Sequence, residues 1–220
     1  MSRAALLVLA DGRFPAGGHA HSGGAEAAVK AGRIKDARDL AAFCQGRLHT
    51  SGLTSASLAA AAALGHDPVE LDEAADARTP SPALRAVARR LGRQMMRAAR
   101  AAWPCAELAA LAAAFPRGTH QPIVLGTAAR AAGLEPEDAA HCVAYETVSG
   151  PATAAVRLLS LDPFEATAVL ARLAPEMDDV AGRAAAAARE GVDALPAVSA
   201  PLLDITAEQH ATWPVRLFAS

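Results

Sequence analysis

The stretch DGRFPAGGHAHSGGAE, residues 11–26, gathers five glycines, two histidines one residue apart, a serine and a glutamate. Three chemistries suit those residue types. A phosphate-cradling loop would read GxxxxGK[ST], with the lysine on the phosphates and the hydroxyl on magnesium. Here the glycines lead into His and Ala and the first lysine is Lys30, so that pattern is not met. A metal site could start from His19 and His21, because imidazole suits nickel, copper or zinc. Two ligands do not complete a site, and only Asp11 and Glu26 stand nearby. The third reading is structural. Pro15 fixes φ, Gly17 and Gly18 allow left-handed backbone, and Ser22 is placed to cap a short helix through Val29 that ends near Gly32.

The rest of the chain offers little other chemistry. No nucleophile elbow, HExxH or close Ser/His/Asp set occurs, so catalysis has no constellation to stand on. Cys44, Cys105 and Cys142 are odd in number and far apart, which argues against a disulfide framework and for a reducing compartment. Cys44 and Cys142 fall on apolar stripes and read as core residues. The apolar N-terminal run LLVL is too short to span a membrane, and neither a span nor a signal peptide is expected. A formal charge of −2 gives no global attraction to nucleic acid.

The elements that must position residues 11–26 are helical. Hydrophobic residues make up 52 % of the 220, charged residues 20 % and aromatics 4 %, so the core must be built from Leu, Val and Ala. Helical spacing recurs and alternating strand patterns do not. Leu40, Phe43, Cys44 and Leu48 share one stripe, with Gly52 where a C-terminal cap would sit. Asp67-Pro68 and Asp162-Pro163-Phe164-Glu165 are helix starts.

In LRAVARRLGRQMMRAARAAW, Leu84, Val87, Leu91 and Met95 form an apolar face. Arg85, Arg89, Arg93, Arg97 and Arg100 lie opposite it and read as a solvated face. Ser149-Gly150-Pro151 predicts a break or kink, and a separate helix is expected from about Pro175 to Gly191. The fold class is therefore all-α, a single-domain bundle of about eight to ten helices over residues 1–195. Residues 196–220 lose the periodicity and read as an extended tail. Trp213, Pro214 and Phe218 suit either packing back on the bundle or ordering against a partner.

Several stretches, in order, resemble the UreF family of urease accessory proteins. FPAGGHAHSGGAE is similar to its P-x-G-x-x-x-H-S-x-G-x-E signature, and LGRQMMRAAR, VLGTAARAAGL and AAVRLLSL resemble segments further along. PLLDITAEQHATWPVRLFAS resembles its PLLEIxxxxHExxxxRLFxS terminus, with Arg216, Leu217, Phe218 and Ser220 in place. The chain departs from the family at Ala25, at Ser149-Gly150-Pro151 and at Ser160-Leu161-Asp162-Pro163, as a divergent member would.

The resemblance implies a non-catalytic, cytoplasmic chaperone subunit for nickel insertion into urease, one that dimerises and keeps no cofactor of its own. Its implied partners are UreD (also called UreH), the GTPase UreG and apo-urease, with nickel handled by the complex. It places Pro15, Gly17, His21, Ser22, Gly24 and Glu26 in a partner-binding signature loop. Arg216, Leu217 and Phe218 fall in a tail that becomes ordered on UreD. The residues alone leave two alternatives open: a metal-binding helical protein using His19 and His21, and a helical regulator of nucleic acid.

Overall fold

A computed structural model describes residues 3–219, without the side chain of Arg3, so Met1, Ser2 and the Ser220 of the matching terminus lie outside the described residues. Among those described no strand occurs, and the helices are α1 (Arg3–Ala10), α2 (Ala25–Lys30), α3 (Ala37–Arg47), α4 (Leu53–Leu64), α5 (Pro68–Ala77), α6 (Pro82–Ala102), α7 (Ala106–Ala114), α8 (Gln121–Ala131), α9 (Pro136–Leu159), α10 (Pro163–Arg189) and α11 (Pro201–Ala211). Many starts follow local chemistry. The carboxylates of Asp36, Asp67 and Asp162 and the hydroxyl of Ser81 accept backbone N–H groups of the first turns of α3, α5, α10 and α6.

The bundle is organised around α4, in which Leu53, Thr54 and Ala56–Ala63 are all buried. It packs against α8, α9 and α10. Small residues let these backbones approach closely. A Cβ on Gly126 of α8 would overlap the Ala59 carbonyl oxygen and lie 2.8 Å from the Ala62 Cβ. With so few aromatic rings, core cohesion comes from many short contacts between close helices.

Three expectations are corrected. Gly52 does not cap α3; its φ is −64°, and Leu48–Gly52 form a π turn that carries α3 on into α4. A Cβ there would sit 2.9 Å from Thr147 Cγ2, so this glycine serves close packing on α9. Pro151 breaks nothing: α9 runs unbroken from Pro136 to Leu159. A proline inside an isolated helix costs about 3 kcal/mol or more, but Pro151, Ala152, Ala154 and Ala155 are buried here and that packing offsets the loss. For the same reason α10 passes through Pro175 without ending, with Leu173, Met177 and Val180 all buried around it.

The arginine face of α6 is not simply solvated. Arg89 donates to Asp72 Oδ1 and Oδ2 (3.1 and 2.8 Å), to Asp76 Oδ2 (2.9 Å) and to the Gly118 carbonyl (3.1 Å). Thr119 Oγ1 donates to Asp72 at 2.6 Å, and the ring of His120 meets Asp76 at 2.7 Å. These groups clamp α5, α6 and the loop before α8. Arg93 caps the Arg117 carbonyl, and Arg90, Arg97 and Arg100 remain exposed.

The segment read as an extended tail contains α11. Leu203, Thr206, Ala207 and His210 face inward at helical spacing, while Leu202 and Ile205 lie outside at 55 % and 56 % exposure and blur the apolar period. Pro201 at the first helical position starts it.

Candidate functional site

Residues 11–26 fold as a chain of tight turns. Phe14 stacks on Trp103 at the end of α6, with ring centroids 5.9 Å apart. Gly17 has φ +82° and leads a short 3-10 turn, Gly18–Ala20. A Cβ on Gly17 would overlap Gln94 Oε1 of α6 as well as strain the backbone. Gly24, at φ +90°, opens α2 and lies against Leu203 of α11. Ser22 is buried and its hydroxyl accepts the Glu26 N–H at 3.3 Å, but the N-cap of α2 is Gly24, two residues later, so Ser22 supports the first turn from outside the cap position.

Glu26 is the centre of the site. Its carboxylate is buried and accepts three hydrogen bonds from the C-terminal segment. His210 Nε2 meets Oε2 at 2.9 Å, the Leu217 N–H donates to Oε1 at 2.8 Å, and the Phe218 N–H donates to Oε2 at 3.1 Å. Ala219 N–H adds a bond to the Ala20 carbonyl at 2.8 Å. Burial pushes the Glu26 carboxyl up, but the Leu217 N–H, His210 and the Phe218 N–H outweigh it and hold its pKa below the usual value. The signature loop and the terminal motif, far apart in sequence, are thus one structure joined through one carboxylate.

The other predicted residues divide clearly. Phe218 is buried, whereas the Leu217 side chain is 73 % exposed and Arg216 faces solvent. Pro15 is exposed. His21 is half-buried, and burial, with Arg90 and His19 adding to it, pushes its pKa down to about 4, so the ring is neutral near pH 7. His19 and His21 gain no further ligands: no group of three His, Cys, Asp or Glu residues among the described ones could hold a metal ion. His210 belongs to the site although sequence reasoning did not single it out; its place in the terminal motif was the available signal. Trp213 packs on the His210 ring, centroids 4.7 Å apart, and Lys30 Nζ of α2 lies 3.8 Å from the Trp213 ring centre. A cation over an indole face adds to the docking of this segment.

Behind the loop lies a cavity of about 290 Å³, bordered by His21, Arg47, Gln121 and Glu146. Gln121 Nε2 donates to Glu146 Oε2 at 2.9 Å, yet burial still raises the Glu146 pKa from 4.5 to about 7. Between those pH values the folded protein holds a proton that the unfolded chain has released, so stability falls as pH rises through the interval. Glu146→Gln is expected to flatten that fall and to stabilise the protein by about 2 kcal/mol at pH 8 relative to pH 4.5 or below. Urea unfolding of both proteins at pH 4.5 and pH 8 checks this; parallel pH profiles would refute it.

A model of the UreF family matches residues 34–174, which includes α3 to α9 but neither the signature loop nor the terminal motif. Full-length similarity covers both. The chain is 46 % identical over 223 residues to the urease accessory protein UreF of Mycolicibacterium vanbaalenii, spanning 100 % of this chain and 99 % of that one. It is 43 % identical to the protein of the same name from Mycobacterium marinum, over 99 % of this chain and 98 % of that one. For Mycobacterium tuberculosis H37Rv the figure is 41 %, over 95 % and 94 %.

Proposed function

The chain belongs to the UreF family of urease accessory proteins, and on that premise we propose that it is a non-catalytic docking subunit in assembly of the urease nickel centre. It bridges a UreD/UreH-like scaffold and the UreG GTPase to apo-urease in the cytoplasm, as a homodimer, and nickel is cargo of the complex. One observation carries the reading. The Glu26 junction holds the signature loop and the C-terminal segment together as one surface, on which Leu202, Ile205, Val215 and Leu217 are exposed at 55 %, 56 %, 79 % and 73 %. Apolar side chains presented on a segment fixed by hydrogen bonds suit a protein partner, because little ordering entropy is lost on docking.

No helix among the described residues is long and apolar enough to cross a membrane. Partner binding acts on residues 196–220, either by clamping the docked segment or by drawing it outward.

Co-purification tests the reading. Full-length protein is expected to capture a UreD-like partner, and the paired change Ile205→Asp/Leu217→Asp to weaken capture at least tenfold, since interface energy concentrates in a few apolar anchors. Deletion of the residues after Ala200 is expected to abolish it. A complex that forms equally well without those residues defeats the proposal, as does the absence of any complex with the full chain. In cells lacking the protein, urease activation should fail at ordinary nickel levels.

A further inference from the structure

Residues 82–120 carry seven arginines and a single carboxylate, Glu107, in a chain whose formal charge is −2. Two of the seven are engaged at the start of α6: Arg85 by the Thr79 and Pro80 carbonyls, Arg89 by Asp72 and Asp76. Arg90, Arg93, Arg97 and Arg100 are exposed. Their spacing of i, i+3, i+7 and i+10 places them on one stripe of α6, about 15 Å long at 1.5 Å per residue. Among the described residues the arginine ion pairs belong to Arg13, Arg89 and Arg183, so no carboxylate of the chain meets this stripe. Like charges at such spacing repel and weaken a helix. Of the four, only Arg93 donates a hydrogen bond within the chain, to the Arg117 carbonyl at 2.7 Å.

Beside the stripe lies a groove of about 460 Å³ between α6, α7 and residues 115–119. Its bed is apolar, built from Met96, Leu111, Phe115 and Val124, and Arg90, Arg93 and Arg97 stand along it. No carboxylate lines it. Beyond Glu107, the exposed residues of α7 are all alanines, so that side is low and uncharged. Two glycines hold the loop close against α6. A Cβ on Gly92 would overlap the Thr119 carbonyl oxygen, and one on Gly118 would run into Arg93 Cγ and the Arg89 carbonyl. The groove is therefore preformed, and an occupant meets walls already in place.

We propose that this face receives an acidic amphipathic helix of a partner protein. The apolar side of that helix lies on Met96, Leu111 and Phe115, and its carboxylates meet the four arginines of the stripe. Guanidinium groups pair with carboxylates through two parallel hydrogen bonds, and helices that dock in grooves use anchors at the same i, i+3 and i+7 repeat that the stripe presents. Charge elsewhere selects against longer polyanions. Outside residues 82–120 the chain is net acidic, so a nucleic-acid strand or an anionic bilayer reaching past the groove is repelled. About three helical turns fit within the stripe. This face is distinct from the exposed apolar groups of the C-terminal segment, and the inference does not rest on their role.

Fluorescence anisotropy on the full chain tests the site. The probe is a labelled helical peptide with glutamates at i, i+3, i+7 and i+10 and leucines on the adjoining face. Binding is expected, weakened at least about threefold when salt rises from about 50 mM to about 300 mM. Arg90→Glu/Arg97→Glu should weaken it at least about tenfold with the melting temperature unchanged, because neither side chain bonds within the chain. Arg33→Glu/Arg38→Glu makes the same change of charge at exposed residues near the start of α3 and should leave the affinity within about twofold. On the unaltered protein, a peptide with serine for leucine should bind at least about fivefold more weakly. Absence of peptide binding overturns the proposal, as does equal binding of the serine peptide or an equal loss in both charge-reversed variants. Tighter binding of a single-stranded DNA of the same length, or of phosphatidylglycerol vesicles, overturns it too. Amide shifts on peptide addition should appear at Arg97 and Phe115; shifts confined to α11 would defeat the assignment.

Discussion

Glu26→Ala is expected to release the C-terminal segment from the signature loop while leaving the helical bundle folded. The substitution removes one buried carboxylate and strands three donors: the Leu217 and Phe218 amides and His210 Nε2. Hydrogen bonds to a charged acceptor contribute about 1.5–3 kcal/mol each, and they are not additive within one cluster. A loss of about 3–4 kcal/mol from the docked state is expected, enough to populate the released state heavily. Amide exchange checks it directly: Leu217, Phe218 and Ala219 should lose protection, whereas amides of α4 and α8 keep theirs. Retained protection at Phe218 would show that other contacts fix the segment. Acid should mimic the substitution. Because the folded pKa of Glu26 is depressed below 4.5, its contribution is present above that value and is lost as pH falls through the folded pKa. Glu26→Gln should fall between, since one amide oxygen still accepts.

The second large effect is expected at Gly126. Alanine is the better helix former by about 1 kcal/mol, yet here its methyl would drive into the Ala59 carbonyl oxygen and the Ala62 methyl of the central helix. Both neighbours are core groups that cannot swing aside. Overpacking typically costs about 1–3 kcal/mol and sometimes more, so Gly126→Ala is expected to destabilise the protein by about 3 kcal/mol. Gly150→Ala is the matched control. Its Cβ would meet nothing within 4 Å, and it should be neutral or slightly stabilising. Urea unfolding of the pair measures the difference; equal midpoints would mean that α4 and α8 can move apart freely.

Much of the fold was legible because helix starts are local events. An Asp before a proline announces α5 and α10, and the structure places a capping oxygen at each. Continuity was not legible. Pro151 and Pro175 carry strong breaking signals, but burial of the surrounding Ala and Leu residues against neighbouring helices overrides them. Gly52 looked like a cap because sequence cannot distinguish a left-handed glycine from one needed for close packing on Thr147. Likewise α11 was hidden by its own exposed Leu202 and Ile205.

The candidate site was half legible. The glycine spacing identified the turn, Ser22 marked a hydroxyl that accepts a first-turn N–H, and the resemblance drew attention to both ends of the chain. The bond between Glu26 and His210, 184 residues apart, leaves no local pattern in either segment. The inward position of Arg47 was equally silent, because an arginine near a helix C-terminus is ordinarily a surface residue. Only the arrangement of α3, α4 and the signature loop turns it inward.

The position of Trp213 also gives the molecule an optical handle. The protein has two tryptophans, and each sits at one boundary of the signature loop. Trp103 lies under Phe14, and Trp213 is flanked by the His210 ring and the Lys30 ammonium. Undocking of the C-terminal segment moves one indole into water and leaves the other in place. With Trp103→Phe, the emission of Trp213 alone follows the segment in real time, without any attached dye. Capture of a partner and release of the tail become separable as two spectral changes in one mixing experiment.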